Sequence, residues 1–135
     1  MKYDDRGNRT EEACFDAEGK PTLHKNRFHK ATVKYDDRGN RTEEAFFDAE
    51  GKPTLHKDGY HEEAKKYDDR GKWIESSYFD TERKPTLHKN GFHRVTAKYD
   101  DRGTRTEGAY FDVNGQLLKT EVVAAEVLRI VREKN

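Results

Sequence analysis

The sequence contains few of the side chains from which most protein cores are built. Leucine, isoleucine, valine and phenylalanine together account for 22 of its 135 residues. That share lies below the ~20% under which a chain is suspected of disorder. Disorder usually accompanies a high net charge, however, whereas the 27 basic and 27 acidic residues of this chain cancel. The composition therefore excludes a large conventional core and favours a thin, charge-faced fold.

Other absences exclude whole classes of function. No apolar run approaches the ~18 residues that a membrane-spanning helix needs, and residues 1–5 lack the apolar core of a signal peptide. The single cysteine, Cys14, can build neither an internal disulfide nor a multi-cysteine zinc site. Zero net charge gives no bulk electrostatic reason to bind nucleic acid. We therefore expect neither a nucleic-acid partner nor membrane insertion, while the localisation stays open.

One unit of 32 residues recurs along the chain. The motif Lys-Tyr-Asp-Asp-Arg-Gly begins at Lys2, Lys34, Lys66 and Lys98. Residues 1–115 therefore contain four tandem repeats, at 2–33, 34–65, 66–97 and, in part, 98–115. The first two repeats are identical at 24 of 32 positions, which indicates recent duplication or construction from a consensus. A residue can then be repeated by copying, without a function of its own.

Turn signals are unusually clear within each repeat. Tyr35–Gly39 and Phe47–Gly51 share the pattern aromatic, Asp, two polar residues, Gly, which predicts a type I turn followed by a glycine bulge. A third signal, Asp58-Gly59, predicts a two-residue type I′ hairpin. The first repeat has Asn26-Arg27 at that position. Losing the glycine predicts a strained or different turn there, because only glycine adopts positive φ freely.

The segments between the turns read as strands. Residues 28–35 alternate so that Ala31 and Val33 share one face, and residues 41–47 place Phe46 and Phe47 on opposite faces. We predict an all-β hairpin-repeat array, either solenoid-like or an extended meander, with a closed ring as a further alternative. Three turns per repeat imply an odd number of strands, which favours the solenoid.

The two ends of the chain differ from the repeats. Residues 116–135 place Val123, Val127 and Val131 at helical spacing and contain good helix formers, so they predict a C-terminal capping helix that covers the array. Their Val and Ile content permits a strand instead. The chain begins at Lys2-Tyr3 inside a hairpin strand. That beginning indicates either a fragment of a longer protein or closure of the first hairpin by the tail.

The turn motif resembles a known repeat. Tyr3–Asn8 and Tyr35–Asn40 read Tyr-Asp-Asp-Arg-Gly-Asn, and residues 67–72 and 99–104 match except at the last position. They resemble the Y-D-x-x-G-N signature of YD repeats, found in the Rhs family of bacterial surface and toxin-shell proteins. The chain is also similar to other bacterial hairpin repeats of the WG and MORN types. These resemblances imply a β-hairpin architecture with a binding or scaffold role, and they carry over no catalytic residue.

Six histidines form three equally spaced pairs, namely His24 and His29, His56 and His61, and His88 and His93. Two histidines across a tight turn could bind zinc or nickel, so metal binding is a weaker alternative function. The simpler interpretation is that they are polar neighbours on adjacent strands. Protonation of close pairs would make stability fall near about pH 6.

Other groups with reactive side chains have structural explanations. The adjacent Asp4 and Asp5 precede an arginine, which opposes calcium binding, so the first Asp is better explained as a turn cap. Glu43 and Glu44 are neighbours on a strand, point to opposite faces and make poor acid–base partners. Cys14 stands where the other repeats have an aromatic residue. We therefore predict that the protein is not an enzyme and has no catalytic, cofactor or metal-binding residue.

Aromatic residues recur at two positions of the repeat and are the best candidates for a binding surface. The candidate residues are Phe28, Tyr60, Phe92, Phe46, Tyr78, Tyr110 and Trp73. An exposed ladder of such rings could stack sugars or dock peptides. The alternative is that the rings form the core, since they bury large areas where aliphatic residues are scarce.

Together these patterns predict a non-catalytic repeat module that offers a binding or scaffold surface to a protein or glycan partner. The alternative is a structural element that associates with itself through its end strands.

Overall fold

The computed structural model describes residues 2–24 and 26–122, and every regular element in these ranges is a strand. The nine strands form one open antiparallel sheet in which spatial order equals chain order. They are β1 (Lys2–Tyr3), β2 (Arg9–Ala13), β3 (Lys30–Tyr35), β4 (Arg41–Phe47), β5 (Glu62–Tyr67), β6 (Trp73–Phe79), β7 (Arg94–Tyr99), β8 (Arg105–Phe111) and β9 (Leu117–Val122). No helix in the described ranges is long and apolar enough to cross a membrane.

Each full repeat contributes two strands, so the array is a simple meander. The Tyr-Asp-Asp-Arg-Gly turn closes each hairpin, and loops 14–29, 48–61 and 80–93 join one hairpin to the next. After the second turn, Pro53 makes only an isolated bridge to Phe47, because proline has no N–H with which to continue a ladder. The predicted odd strand number and the preference for a solenoid were therefore wrong. An even number lets every repeat present the same face.

All three turns of a repeat share one geometry. The carbonyl oxygen of Asp36 accepts from the Gly39 N–H at 3.0 Å, and its side chain accepts from the Arg38 N–H at 2.9 Å. In the third turn His56 does the same, with its carbonyl accepting from Gly59 at 2.9 Å and its Nδ1 from the Asp58 N–H at 3.1 Å.

The predicted type I′ turn at Asp58-Gly59 was therefore wrong. That turn requires positive φ at both residues, whereas of the two only Gly59, at 94°, has it. The turn spans residues 56–59 and so begins one residue earlier than predicted, because the imidazole of His56 caps it as an aspartate would.

Two arginines adopt the conformation that glycine adopts in the other repeats. Arg27 has a φ of 74°, which confirms the prediction of strain in the first loop. Arg83 has a φ of 63° where Gly51 has 81°. The left-handed region disfavours any residue with a Cβ, so both turns are held by the surrounding structure.

The core lies on one face of the sheet. Ala31 lies opposite Phe46 on the front face, and Lys30 lies opposite Phe47 on the back face, as the alternation predicts. Phe28 and Tyr60 belong to loops yet are buried with Phe46 in the main core cluster. The loops therefore form the second layer that a single sheet needs to bury its apolar face.

Adjacent hairpins are also joined at their tips. The guanidinium groups of Arg6, Arg38 and Arg70 donate to the backbone carbonyl oxygens of Asp37, Asp69 and Asp101 in the next hairpin, the last at 3.1 Å. Each repeat is thus connected to its neighbour at both the loop edge and the turn edge of the sheet.

The C-terminal segment forms a strand where a helix was predicted. In β9, Lys119 lies opposite Tyr110 of β8 and Leu117 lies opposite Phe111. Leu117 occupies the position of Pro53 in the repeat. Unlike proline, leucine has a backbone N–H, so the chain can continue as a strand of the sheet. The predicted capping helix at 116–135 was therefore wrong for 117–122, and its remaining residues, 123–135, lie outside the described part of the chain.

Candidate binding site on the front face

Six aromatic rings form an unbroken series across the front face, which we call the ring ladder. In order they are Phe28, Phe46, Tyr60, Tyr78, Phe92 and Tyr110, with successive centroid separations of 4.7, 5.9, 4.6, 5.9 and 4.9 Å. These distances fall within the ~4.5–7 Å of favourable aromatic pairs. Rings from strands and rings from loops alternate, so the ladder links every repeat to the next.

Much of the ladder is core. Phe28, Phe46, Tyr60 and Tyr78 are between 2% and 7% exposed, so these four of the seven candidate binding residues have little surface that a ligand could contact. Burial raises the pKa of the Tyr60 and Tyr78 hydroxyl groups well above their usual value. The other two rings of the ladder, Phe92 and Tyr110, are half-buried.

The half-buried rings meet Trp73 in a groove of about 340 Å³, which we call the Trp73 groove. Its lining also includes the charged residues Glu63, Lys65 and Arg105. The indole N–H of Trp73 donates to the Ser76 hydroxyl oxygen at 2.8 Å, which fixes the ring. The guanidinium of Arg105 lies 5.8 Å from the centroid of the indole. Four of the seven candidate binding residues, Trp73, Tyr78, Phe92 and Tyr110, thus line one groove.

This groove arises where repeats three and four depart from the first two. Trp73 stands where the second repeat has Arg41, and Gly108 stands where it has Glu44. A Cβ at Gly108 would clash with the guanidinium of Arg105, so the glycine provides the space in which Arg105 lies. Sequence reasoning missed Arg105 and Gly108, although departure from the repeat pattern was the signal that could have identified Gly108.

The groove contains charges of both signs. Glu63 lies directly opposite Glu44 on the neighbouring strand, and its carboxylate is 3.7 Å from the Lys65 ammonium. Burial raises the pKa of Glu44, with Glu63 adding to the effect and Arg41 opposing it. The buried Nε of Arg105 has no hydrogen-bond partner among the described residues. The groove therefore places apolar rings beside charged side chains of both signs.

The histidine pairs are divided between the two faces. His56 packs against Phe46 at 4.9 Å and Tyr60 at 5.0 Å on the front, whereas His61 meets Phe47 edge-on at 5.4 Å on the back. The His61 Nδ1 is 3.1 Å from the Thr54 carbonyl oxygen. In the described ranges no group of three or more potential ligands is placed to hold a metal ion. The two members of a pair therefore do not converge on one ligand position.

A charged cluster joins the second and third loops. The Asp58 carboxylate lies 3.6 Å from both the His56 Nδ1 and the His88 Nε2, and 3.0 Å from the Lys89 ammonium. Burial raises the pKa of Asp58, but Lys89 and the two histidines outweigh it and leave the pKa below its usual value. Burial lowers the pKa of His56, and Asp58 opposes that effect.

Comparison with known proteins finds neither a family model nor a curated protein that matches this chain. The resemblance to YD repeats therefore stays a prediction that rests on the four turn motifs.

Proposed function

We propose that this protein is a non-catalytic binding module that holds a peptide segment of a partner protein in the Trp73 groove. The observation that carries this proposal is the convergence of Trp73, Tyr110 and Arg105 on one open groove. Tryptophan, tyrosine and arginine are the residues most enriched among interface hot spots. The rest of the array supplies a rigid support, because the ring ladder connects the repeats.

A peptide fits the groove better than a glycan does. Arg105 lies over the indole of Trp73, so the ring is partly covered where a sugar would stack. The guanidinium of Arg105, which lines the groove, suits a backbone carbonyl or a side-chain carboxylate as acceptor. Lys65 and Glu63 lie in the same lining and suit the mixed charges of a protein surface.

Binding in the groove can be followed by tryptophan fluorescence, since Trp73 is the only tryptophan in the chain. A displayed library of random peptides is selected on the protein, and a bound peptide is titrated against Trp73 fluorescence. We expect Arg105→Ala to weaken binding by about tenfold or more. The matched control is Tyr3→Ala, which removes an aromatic residue that is 60% exposed on β1 and should leave affinity unchanged.

Peptides that bind wild type and Arg105→Ala equally would contradict this proposal. A glycan array probed in parallel distinguishes the other partner class. If no peptide binds and a glycan gives a signal that Arg105→Ala abolishes, the partner is a glycan and not a peptide.

The last strand of the described sheet favours self-association as a second candidate function. Leu117, Leu118 and Val122 of β9 are between 51% and 59% exposed, and edge strands readily pair with other chains. Light scattering across a concentration series tests this function. A monomeric mass at the highest concentration would rule it out.

A further inference from the structure

The loops stack on one another along one edge of the array. The backbone N–H of Lys57 donates to the Asn26 carbonyl oxygen at 2.9 Å, and that of Lys89 donates to the Asp58 carbonyl oxygen at 2.7 Å. The first and second loops therefore each provide a carbonyl oxygen that accepts a hydrogen bond from the following loop. The equivalent carbonyl of the third loop belongs to Asn90, and it accepts no such bond among the described residues.

The ring ladder stops at the same place. Phe46 has a ring from a loop on each side, Phe28 at 4.7 Å and Tyr60 at 5.9 Å, together with His56 at 4.9 Å. Tyr110 is the equivalent residue of the fourth repeat, and within the described ranges it contacts one ring, that of Phe92.

A cation covers Tyr110 where a histidine covers Phe46. The Lys119 ammonium lies 4.7 Å from the centroid of the Tyr110 ring. The reason is that β9 pairs with β8 instead of forming a loop. The Tyr110 hydroxyl donates to a carboxylate oxygen of Glu121, which like Lys119 belongs to β9, at 3.2 Å.

A cavity of about 220 Å³ lies at this end of the ladder, and we call it the ladder-end cavity. Its lining consists of Asn90, Gly91, Phe92, Tyr110, Leu118 and Lys119. An apolar cavity of ~150 Å³ is large enough to hold benzene, so an aromatic side chain fits here. Asn90 and the last two rings of the ladder thus border one space.

We propose that the ladder-end cavity binds a peptide turn of the form His-Lys-x-Gly-aromatic, supplied by a partner protein. The second and third loops, which carry this motif at residues 56–60 and 88–92, show what such a turn does. Its aromatic ring packs on the strand ring, its histidine caps the turn, and the N–H of its lysine donates to the preceding loop. The ligand would place these groups on Tyr110, Phe92 and the Asn90 carbonyl.

This proposal goes beyond the proposed function because it concerns a different cavity and a different ligand geometry. The two sites share Phe92 and Tyr110, but Trp73 and Arg105 line only the Trp73 groove, whereas Leu118 and Lys119 line only the ladder-end cavity. Variants of these residues therefore separate the two sites.

The test uses the full chain and a synthetic peptide that copies residues 52–62. The ¹⁵N-labelled protein is titrated with the peptide, and backbone amide shifts are followed. We expect saturable shifts at Gly91, Leu118 and Lys119, with a Kd below about 1 mM. A peptide with alanine in place of Tyr60 should bind about tenfold more weakly, because the ring supplies the buried contact.

Matched protein variants complete the test. Leu118→Asp should weaken binding of the peptide about tenfold, whereas Leu23→Asp, at a leucine 61% exposed in the first loop, should leave it unchanged. Arg105→Ala should also leave the affinity for this peptide unchanged. The outcome therefore does not depend on whether the Trp73 groove binds a peptide.

Four results would overturn the proposal. The first three are the absence of saturable shifts up to ~5 mM peptide, equal binding of the alanine peptide, and shifts that map to the Trp73 groove alone. The fourth is a set of shifts at the same amides that depend on protein concentration without peptide, since a second copy would then supply the ring.

Discussion

Replacing Arg83 by glycine should stabilise the protein. Arg83 ends the Asp80 turn with a φ of 63°, and its N–H donates to the Asp80 carbonyl at 3.0 Å. Gly51 makes the same bond at 3.0 Å in the second repeat, with a φ of 81°. The two turns are therefore alike, and the arginine adds only the strain of a Cβ in the left-handed region.

The magnitude follows from three effects. Removing the Cβ from the left-handed conformation raises the free energy of unfolding by about 1–2 kcal/mol. The greater freedom of glycine in the unfolded chain lowers it by about 0.5–1 kcal/mol. The ion pair of Arg83 with Glu62 is 3.8 Å long with the arginine side chain 81% exposed, so its loss costs at most a few tenths of a kcal/mol. We expect a net gain of about 0.5–1 kcal/mol, or ~2–4 °C in Tm.

Urea unfolding followed by Trp73 fluorescence and circular dichroism measures this change. The control is Arg83→Ala, which removes the side chain but keeps the Cβ and so should not raise stability. Adding Arg27→Gly should give a second increment of similar size, because the two turns lie in different loops. If Arg83→Ala stabilises as much as Arg83→Gly, the side chain and not the backbone is unfavourable, and the reasoning fails.

Three further predictions concern pH, the core and the hairpin tips. Burial holds the pKa of His56 below its usual 6.5, so the unfolded chain takes up the proton first. Stability should then fall as pH drops below about 6.5 and level off once folded His56 protonates; urea midpoints that stay constant from about pH 8 to 5 would contradict this. Phe46→Ala removes a ring only 2% exposed and should cost about 3–5 kcal/mol, whereas Phe15→Ala, at 57% exposure, should cost much less in the same assay. Arg38→Ala removes the bond to the Asp69 carbonyl of the next hairpin and should lower the free energy of unfolding by about 0.5–1 kcal/mol; Arg102→Ala, which makes no such bond among the described residues, is its control.

Local features of the fold were predictable from sequence. The Asp36 turn, the alternation that separates Phe46 from Phe47 and the strain at Arg27 each depend on a few consecutive residues. Such features follow from the chemistry of the turn residues and from the two-residue period of a strand.

The candidate sites were predictable only in part. The sequence drew attention to Trp73 and Tyr110 as unusual or repeated aromatics, but their convergence with Arg105 depends on which strands pair. The role of His56 as a turn cap was also missed, because the usual rule assigns that role to aspartate and asparagine.

By itself, the sequence determined the repeat period, the turn positions and the alternation of the strands, since these depend on neighbouring residues. Only the tertiary structure decided that each repeat has two strands and that the loops fold over the front face. It also decided that the rings of Phe28 and Tyr60 are core while those of Phe92 and Tyr110 border open cavities. The physical reason is that burial depends on what the next repeat places against a ring, and after β8 the chain pairs as a strand instead of adding another loop.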